Sequence, residues 1–185
     1  MRELIVGGVR SGKSAAALER ARRWLAQPQR RATLIASALP ADAEMRTRIA
    51  RHRAERARQL PALQTVEEPF EVAQMIVRAS DPQHLLLVDC LTLWAANLLA
   101  PSQGAPLAPA HWEARADALA RAVAAASGPL VLVANEIGFG VIGADELTRR
   151  FVDAAGELNR RLAAVCERVT LLVAGCELAL KGGGA

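Results

Sequence analysis

Tyrosine is missing from the 185 residues, and aromatic side chains make up only 3% of the chain. That argues against a platform that holds nucleic acid by stacking bases on rings. The charge excess is as thin: 23 Lys+Arg against 19 Asp+Glu leave +4, scattered and carried mostly by Arg. Such a scatter is a poor electrostatic footprint for a polyanion the size of DNA or RNA. The cysteines, Cys90, Cys166 and Cys176, are odd in number and far apart, which fits neither a disulfide framework nor a zinc module. The longest apolar stretch, Leu85 to Ala100, is interrupted by Asp89 and Asn97 and falls short of a membrane span. Leu4 to Gly8, followed by Arg10, is too short for a secretory signal. These absences lead to the expectation of a cytoplasmic protein with no membrane span and no nucleic-acid partner.

What is present is a large apolar fraction, 52%, with 23% charged residues, enough to bury a core rather than remain disordered. The length predicts one domain over 1–185. Short apolar runs alternate with longer helical patterns: Leu4–Val6, Ala32–Ala36, His84–Asp89, Leu130–Asn135 and Val169–Ala174 read as strands. Runs without polar alternation are what strands covered on both faces look like. Helices are expected from Lys13 to about Gln27, from about Asp42 to Arg58 and from about Ala144 to Cys166. The last carries Leu147, Phe151, Ala154, Leu158 and Leu162 at helical spacing, a core-facing stripe. Strands interleaved with helices predict an α/β fold around a mostly parallel sheet. Pro101 to Pro109 reads as an exposed loop, and Gly182 to Ala185 as a frayed tail.

The strongest chemical signal is Gly7-Gly8-Val9-Arg10-Ser11-Gly12-Lys13-Ser14. It fits the phosphate-binding loop G-x-x-x-x-G-K-[ST], and it lies between a predicted strand and a predicted helix, as that loop must. Backbone N–H groups and a helix N-terminus then converge on phosphate. Lys13 supplies a cation for the β and γ oxygens, and the Ser14 hydroxyl a ligand for Mg²⁺. Asp89, at the end of a buried strand, is placed to be the second acid for the metal. A helix N-cap ahead of Cys90-Leu91 is the competing reading of the same residue. The loop alone says nucleotide, and nothing about what is done with it.

Three further segments narrow the choice: Asp42 to Arg56 with its Glu-Met-x-x-Arg-Ile-x-x-His pattern, Thr65-Val66-Glu67-Glu68-Pro69, and Val133 to Ile142 with its Asn-Glu-x-Gly-x-Gly pattern, followed by Arg149 to Phe151 and Ala155 to Ala163. With the Gly-Gly-x-Arg-Ser-Gly-Lys-Ser loop, they resemble the bifunctional adenosylcobinamide kinase / adenosylcobinamide-phosphate guanylyltransferase family of cobalamin biosynthesis, from Leu4 to about Val173. The resemblance implies a RecA-like P-loop NTPase fold with a mostly parallel central sheet flanked by helices, assembled as a homotrimer. It implies phosphorylation of adenosylcobinamide by a nucleoside triphosphate, GTP or ATP with Mg²⁺. It further implies GMP transfer from GTP to the resulting phosphate through a guanylylated histidine, leaving adenosylcobinamide-GDP and pyrophosphate.

By the same resemblance the histidine is His52. Arg51, Arg53 and Arg56 around it suit a triphosphate, and cations nearby favour the neutral, nucleophilic imidazole. The phosphate loop with Lys13 would hold the pyrophosphate. Ala36, Ser37 and Ala38 match one nucleotide-contacting segment, and Arg53, Ala54, Glu55 and Arg56 another. Glu67 matches an acid that accepts the N1–H and exocyclic amine of guanine, while Glu68 beside it reads as surface charge. Asn135 and Glu136 end a strand at the ligand-binding edge of the sheet without an assigned role. His84 and His111 read as structural or surface residues. The chain departs from the family pattern in having Arg51 where many relatives carry a second histidine, and Asp89 where some carry Glu. The segment from Arg58 to Gln64 is also slightly longer than usual. A monofunctional P-loop kinase would keep Lys13, Ser14 and Asp89 but make His52 incidental. A regulatory switch is disfavoured because no Asn-Lys-x-Asp guanine motif is present.

Overall fold

A computed structural model describes every residue except 103, 141, 142, 144, 184 and 185. The chain runs β1 (Arg2–Gly7), α1 (Lys13–Leu25), β2 (Arg31–Ala36), α2 (Ala43–Gln59), β3 (Gln64–Glu67), α3 (Val72–Ala79), β4 (His84–Asp89), α4 (Leu91–Leu99), α5 (Pro109–Ala125), β5 (Leu130–Asn135), α6 (Glu146–Val165), β6 (Arg168–Val173) and β7 (Cys176–Lys181). The strands form one sheet in the order β3-β2-β4-β5-β1-β6-β7. All neighbours pair in parallel except β7, which returns antiparallel along β6. This is the expected α/β architecture, with two strands more than the apolar runs predict.

Strand parity divides the core. Leu4, Val6, Leu86, Val88, Leu130 and Leu132 face a layer of helices α3, α4, α5 and α6. Ile5, Leu85, Leu87, Val131 and Val133 face the other way, against Ala16, Ala17 and Ala21 of α1. Both faces are covered, which is why the strands read as unbroken apolar runs. Burying a Leu or Val in either layer contributes about 1.5–3 kcal/mol.

The third helix expected from sequence begins at Glu146, capped by Asp145, which accepts the Thr148 N–H at 2.8 Å. Its stripe holds at Leu158 and Leu162, buried, and at Phe151 and Ala154, partly buried, but Leu147 is exposed because it lies in the first turn, clear of the sheet. Pro109 is not loop but the first residue of α5, where its missing N–H costs nothing. The loop before it is pinned by Leu107, whose N–H donates to Leu98 O at 2.8 Å. Nor is Gly182 frayed: a Cβ there would sit 2.3 Å from Glu167 O, so that turn packs against the start of β6. The Gly184-Ala185 end of the tail, the Val141-Ile142 end of the Asn-Glu segment and the Ala144 start expected for the long helix lie outside the described residues. Among the described residues no helix is long and apolar enough to cross a membrane.

Candidate nucleotide-binding active site

Every parallel strand ends on one edge of the sheet, and there the signalled residues meet. The turn after β1 is the phosphate loop. Gly7 has no room for a side chain: a Cβ would lie 2.4 Å from Leu172 O and 2.7 Å from Ser11 Oγ. Gly12 caps α1 at φ 103°, a left-handed conformation that favours glycine. The loop is closed by Ser11 N–H to Gly8 O at 3.2 Å and braced from the β6–β7 turn by Gly175 N–H to Ser11 O at 2.9 Å. Lys13 is only 7% exposed and turns its amine back into the loop, donating to Gly8 O at 2.6 Å and Ser11 Oγ at 3.4 Å. Burial holds that amine below its usual value, against the opposing pull of Cys90 and Asp89. Val9 and Arg10 ride outside on the exposed rim, with Arg10 at φ 59°.

Ser14 and Asp89 come together across 75 positions: Ser14 Oγ donates to Asp89 Oδ2 at 2.8 Å. Asp89 is therefore not a helix N-cap; the cap of α4 is Cys90, without a side-chain bond. Two hard oxygens on adjoining element ends suit Mg²⁺, which takes few protein ligands and completes its shell with water and phosphate. Among the described residues there is no group of three or more His, Cys, Asp or Glu able to hold a metal.

Facing this pair is α2, a helix with no fully buried residue. Its inward stripe is Met45, Ile49, His52 and Arg56, half-buried at helical spacing. His52 and Arg56 line a cavity of about 160 Å³ with Ser14, Leu18, Leu87 and Asp89. His52, the Ser14–Asp89 pair and Arg56 thus share one space. Burial lowers the His52 imidazole below its usual value of 6.5; Arg48 and Arg56 add to this, and Glu55 and Asp89 oppose it. The ring is accordingly neutral at neutral pH. Arg56 is desolvated too, which lowers its basicity, and its Nε is buried without a hydrogen-bond partner.

Arg56 also borders a second, more open cavity of about 660 Å³, lined by Arg53, Pro61, Leu63, Thr65 and Glu67. Arg53 forms an ion pair with Glu67 across it. Arg51, grouped with these arginines in the sequence, lies on the exposed side of α2 and borders neither cavity. Ala54 is exposed, and Glu55 borders the His52 cavity.

Ser37 is fully buried, and its hydroxyl is engaged by the backbone of Cys90, donating to Cys90 O at 2.6 Å and accepting from Cys90 N–H at 3.0 Å. It thereby fixes the chain leaving Asp89, while Ala36 and Ala38 flank it, half-exposed. Glu68 is not idle surface charge: its Oε1 accepts the N–H groups of Phe70 at 3.0 Å and Glu71 at 2.8 Å, shaping the entry to α3. His84 bonds Thr33 Oγ1 at 2.8 Å at the opposite edge of the sheet, and His111 is exposed on α5, so neither belongs to the site.

Of the supporting residues, Thr92 and Asn97 carry no signal in the sequence, while Asn159 lies within the Ala155 to Ala163 segment of the family pattern. Thr92 Oγ1 accepts the Asn135 N–H at 2.7 Å, and Asn159 Nδ2 donates to Asn135 O at 3.3 Å, so α4 and α6 grip the end of β5. Asn97 Nδ2 ties Ser37 O at 2.7 Å to Pro69 O at 3.1 Å. Each acts through a partner far away in sequence, which no local pattern announces.

Residues 3–180 match the family model described as cobinamide kinase / cobinamide phosphate guanyltransferase. The chain is 43% identical over 183 residues to the bifunctional adenosylcobalamin biosynthesis protein CobP of Pseudomonas aeruginosa, covering 98% of each chain. It is 32% identical over 187 residues to the bifunctional adenosylcobalamin biosynthesis protein CobU of Escherichia coli, covering 96% of this chain and 98% of the relative. Among solved structures, a KaiC-like protein of Pyrococcus horikoshii superposes with a TM-score of 0.50 at 14% identity, over 92% of this chain and 69% of that one. Another Pyrococcus horikoshii protein superposes at 0.53 with 10% identity, over 99% and 87%. At such identities the structural likeness is one of fold, a P-loop NTPase-like α/β core.

Proposed function

The chain belongs to the cobinamide kinase / cobinamide phosphate guanyltransferase family of enzymes, and on that premise we propose that it carries out both reactions at the edge formed by the phosphate loop, Asp89 and α2. In the first, an alcohol oxygen of adenosylcobinamide attacks the γ-phosphorus of a nucleoside triphosphate, the bond to the β-bridging oxygen breaks, and the diphosphate leaves. The loop amides, Lys13 and the N-terminus of α1 carry the charge of the phosphates. Ser14 and Asp89 would hold Mg²⁺, which would supply charge neutralisation at the phosphates.

In the second reaction, the neutral imidazole of His52 attacks the α-phosphorus of GTP, forming a P–N bond as pyrophosphate departs. The phosphate of the acceptor then displaces the histidine, and GMP is transferred. The observation that carries this reading is the shared cavity of His52, Arg56, Ser14 and Asp89. An imidazole, a guanidinium and the Ser14–Asp89 oxygens lining one space support a single triphosphate site that serves both steps. Arg56, with a buried and unpartnered Nε, has donor capacity to spare for a phosphate oxygen. Glu67 recognises guanine, which requires Arg53 to share or yield its carboxylate. The working form is a homotrimer, a reading supported by the family resemblance alone.

The test is product analysis with adenosylcobinamide, Mg²⁺ and either GTP or ATP. A phosphorylated corrinoid followed by a GDP-linked corrinoid and pyrophosphate, the second only with GTP, is the expected result. Phosphorylation without guanylyl transfer would reduce the protein to a kinase and make His52 incidental.

A further inference from the structure

The first reaction leaves a proton to be placed, since the attacking alcohol loses its hydrogen as the new P–O bond forms. We infer that Glu136 is the general base that takes it, an inference resting on the proposed phosphorylation of an alcohol. The sheet order sets β5 between β4, which carries Asp89, and β1, which carries the phosphate loop. Asn135 lies in register with Gly7, and the Glu136 N–H donates to Gly7 O at 2.9 Å. Glu136 is therefore stitched to the first residue of the phosphate loop, on the side toward the metal pair.

Three acidic side chains end strands along this edge, and they differ in what occupies them. Glu67 is paired with Arg53, and Asp89 accepts the Ser14 hydroxyl. Among the described residues the Glu136 carboxylate accepts one hydrogen bond, from the backbone N–H of Gly138 at 2.7 Å. Among the described residues it forms no ion pair, so most of its acceptor capacity is open. Thr92 and Asn159 hold the strand end through both backbone groups of Asn135.

The step balances without a co-reactant. The hydroxyl oxygen bonds to the γ-phosphorus, the bond to the leaving oxygen breaks, the diphosphate departs with that electron pair, and the hydroxyl proton moves to a Glu136 carboxylate oxygen. The carboxylate base is restored when that proton is lost to water. GMP transfer needs no such base, because the acceptor there is already a phosphate anion. The two reactions therefore separate at this residue.

Glu136→Gln removes the base while its amide oxygen keeps the Gly138 hydrogen bond. Purified wild type and variant are compared for γ-phosphoryl transfer to adenosylcobinamide, GTP affinity, and transfer of GMP to ready-made adenosylcobinamide phosphate. The expected result is a fall of about 100-fold or more in the phosphorylation kcat, with GTP affinity and GMP transfer within about twofold. Phosphorylation within a few-fold of wild type overturns the inference. So does a parallel loss of all three readouts, which would make Glu136 a structural support of the loop. Failure of the wild type itself to phosphorylate adenosylcobinamide overturns the proposed kinase function, and is distinguished by the wild-type lane.

Discussion

Replacing Arg20 with Met should destabilise the protein far more than replacing its exposed partner. Glu3 sits in β1 with a side chain that is 0% exposed, and it accepts Arg20 Nη2 at 3.1 Å, Arg20 Nε at 3.3 Å and the Thr170 hydroxyl at 2.8 Å. The same guanidinium bonds Glu177 of β7 twice at 2.6 Å, but Glu177 is 42% exposed. One arginine thus ties α1 to both the buried and the exposed flank of the strands beneath the phosphate loop. Arg20→Met keeps the alkyl stem and leaves the Glu3 carboxylate buried with a single hydroxyl donor. Stranding a buried charge in this way costs about 3–5 kcal/mol. Glu177→Gln breaks a pair that water screens, and costs about 0.2–1 kcal/mol. For a chain of this length 1 kcal/mol shifts Tm by about 2–4 °C, so the arginine variant should melt about 6–20 °C lower. The double variant Glu3→Leu with Arg20→Met removes the charge along with its partner, and should recover most of the loss. Urea unfolding with an unchanged slope reads the differences directly. If Arg20→Met costs under 1 kcal/mol, or the double variant is as damaged as the sum of the singles, the burial argument is wrong.

Other outcomes follow from the site. Gly7→Ala puts a methyl 2.4 Å from Leu172 O, which should cost about 1–3 kcal/mol of stability and weaken GTP binding at least tenfold by calorimetry. Asp89→Asn should abolish the Mg²⁺ dependence of GTP affinity, while urea unfolding shows a loss of no more than about 1.5–3 kcal/mol, the worth of a hydrogen bond to a charged acceptor such as the one Ser14 makes. Because burial, Arg48 and Arg56 hold the His52 imidazole low, its neutral form persists below pH 6.5. The acid limb of guanylylation should therefore fall below pH 6.5, and Arg48→Gln should move it upward. The same depression means folding opposes protonation of His52, so its contribution to stability is present above the unfolded value and is lost as pH falls through the folded one.

The phosphate loop could be read from sequence because its geometry is specified by eight neighbouring residues, and Asp89 because it ends a buried apolar run. β3 escaped notice because all four of its residues are exposed on the outer edge of the sheet, leaving no apolar run to detect. β7 is exposed along its whole length as well; Cys176, Leu178 and Leu180 alternate with Glu177, Ala179 and Lys181, but that stripe covers no core and the run is too short to stand out as a strand. The buried Glu3 is the reverse case: a charge that reads as surface is taken inside by Arg20 and Thr170, which are distant in sequence. Leu147 shows the limit of helical spacing, since periodicity assigns a face but not how far along the helix the sheet extends. The division of the arginines is another such limit. Arg56 faces His52, Arg53 faces Glu67 and Arg51 faces solvent, a distinction set by the helix phase that composition alone does not resolve.

In the proposed guanylylation His52 attacks the α-phosphorus of GTP in the cavity it shares with Ser14 and Asp89. The most direct measurement follows radiolabel from α-³²P-GTP and from γ-³²P-GTP into the purified protein with Mg²⁺, for wild type and His52→Ala. Acid-labile, alkali-stable label from the α position only, absent in the variant, is the predicted result. Folded, GTP-binding wild type that takes up no α label, or a His52→Ala variant that still does, would contradict it.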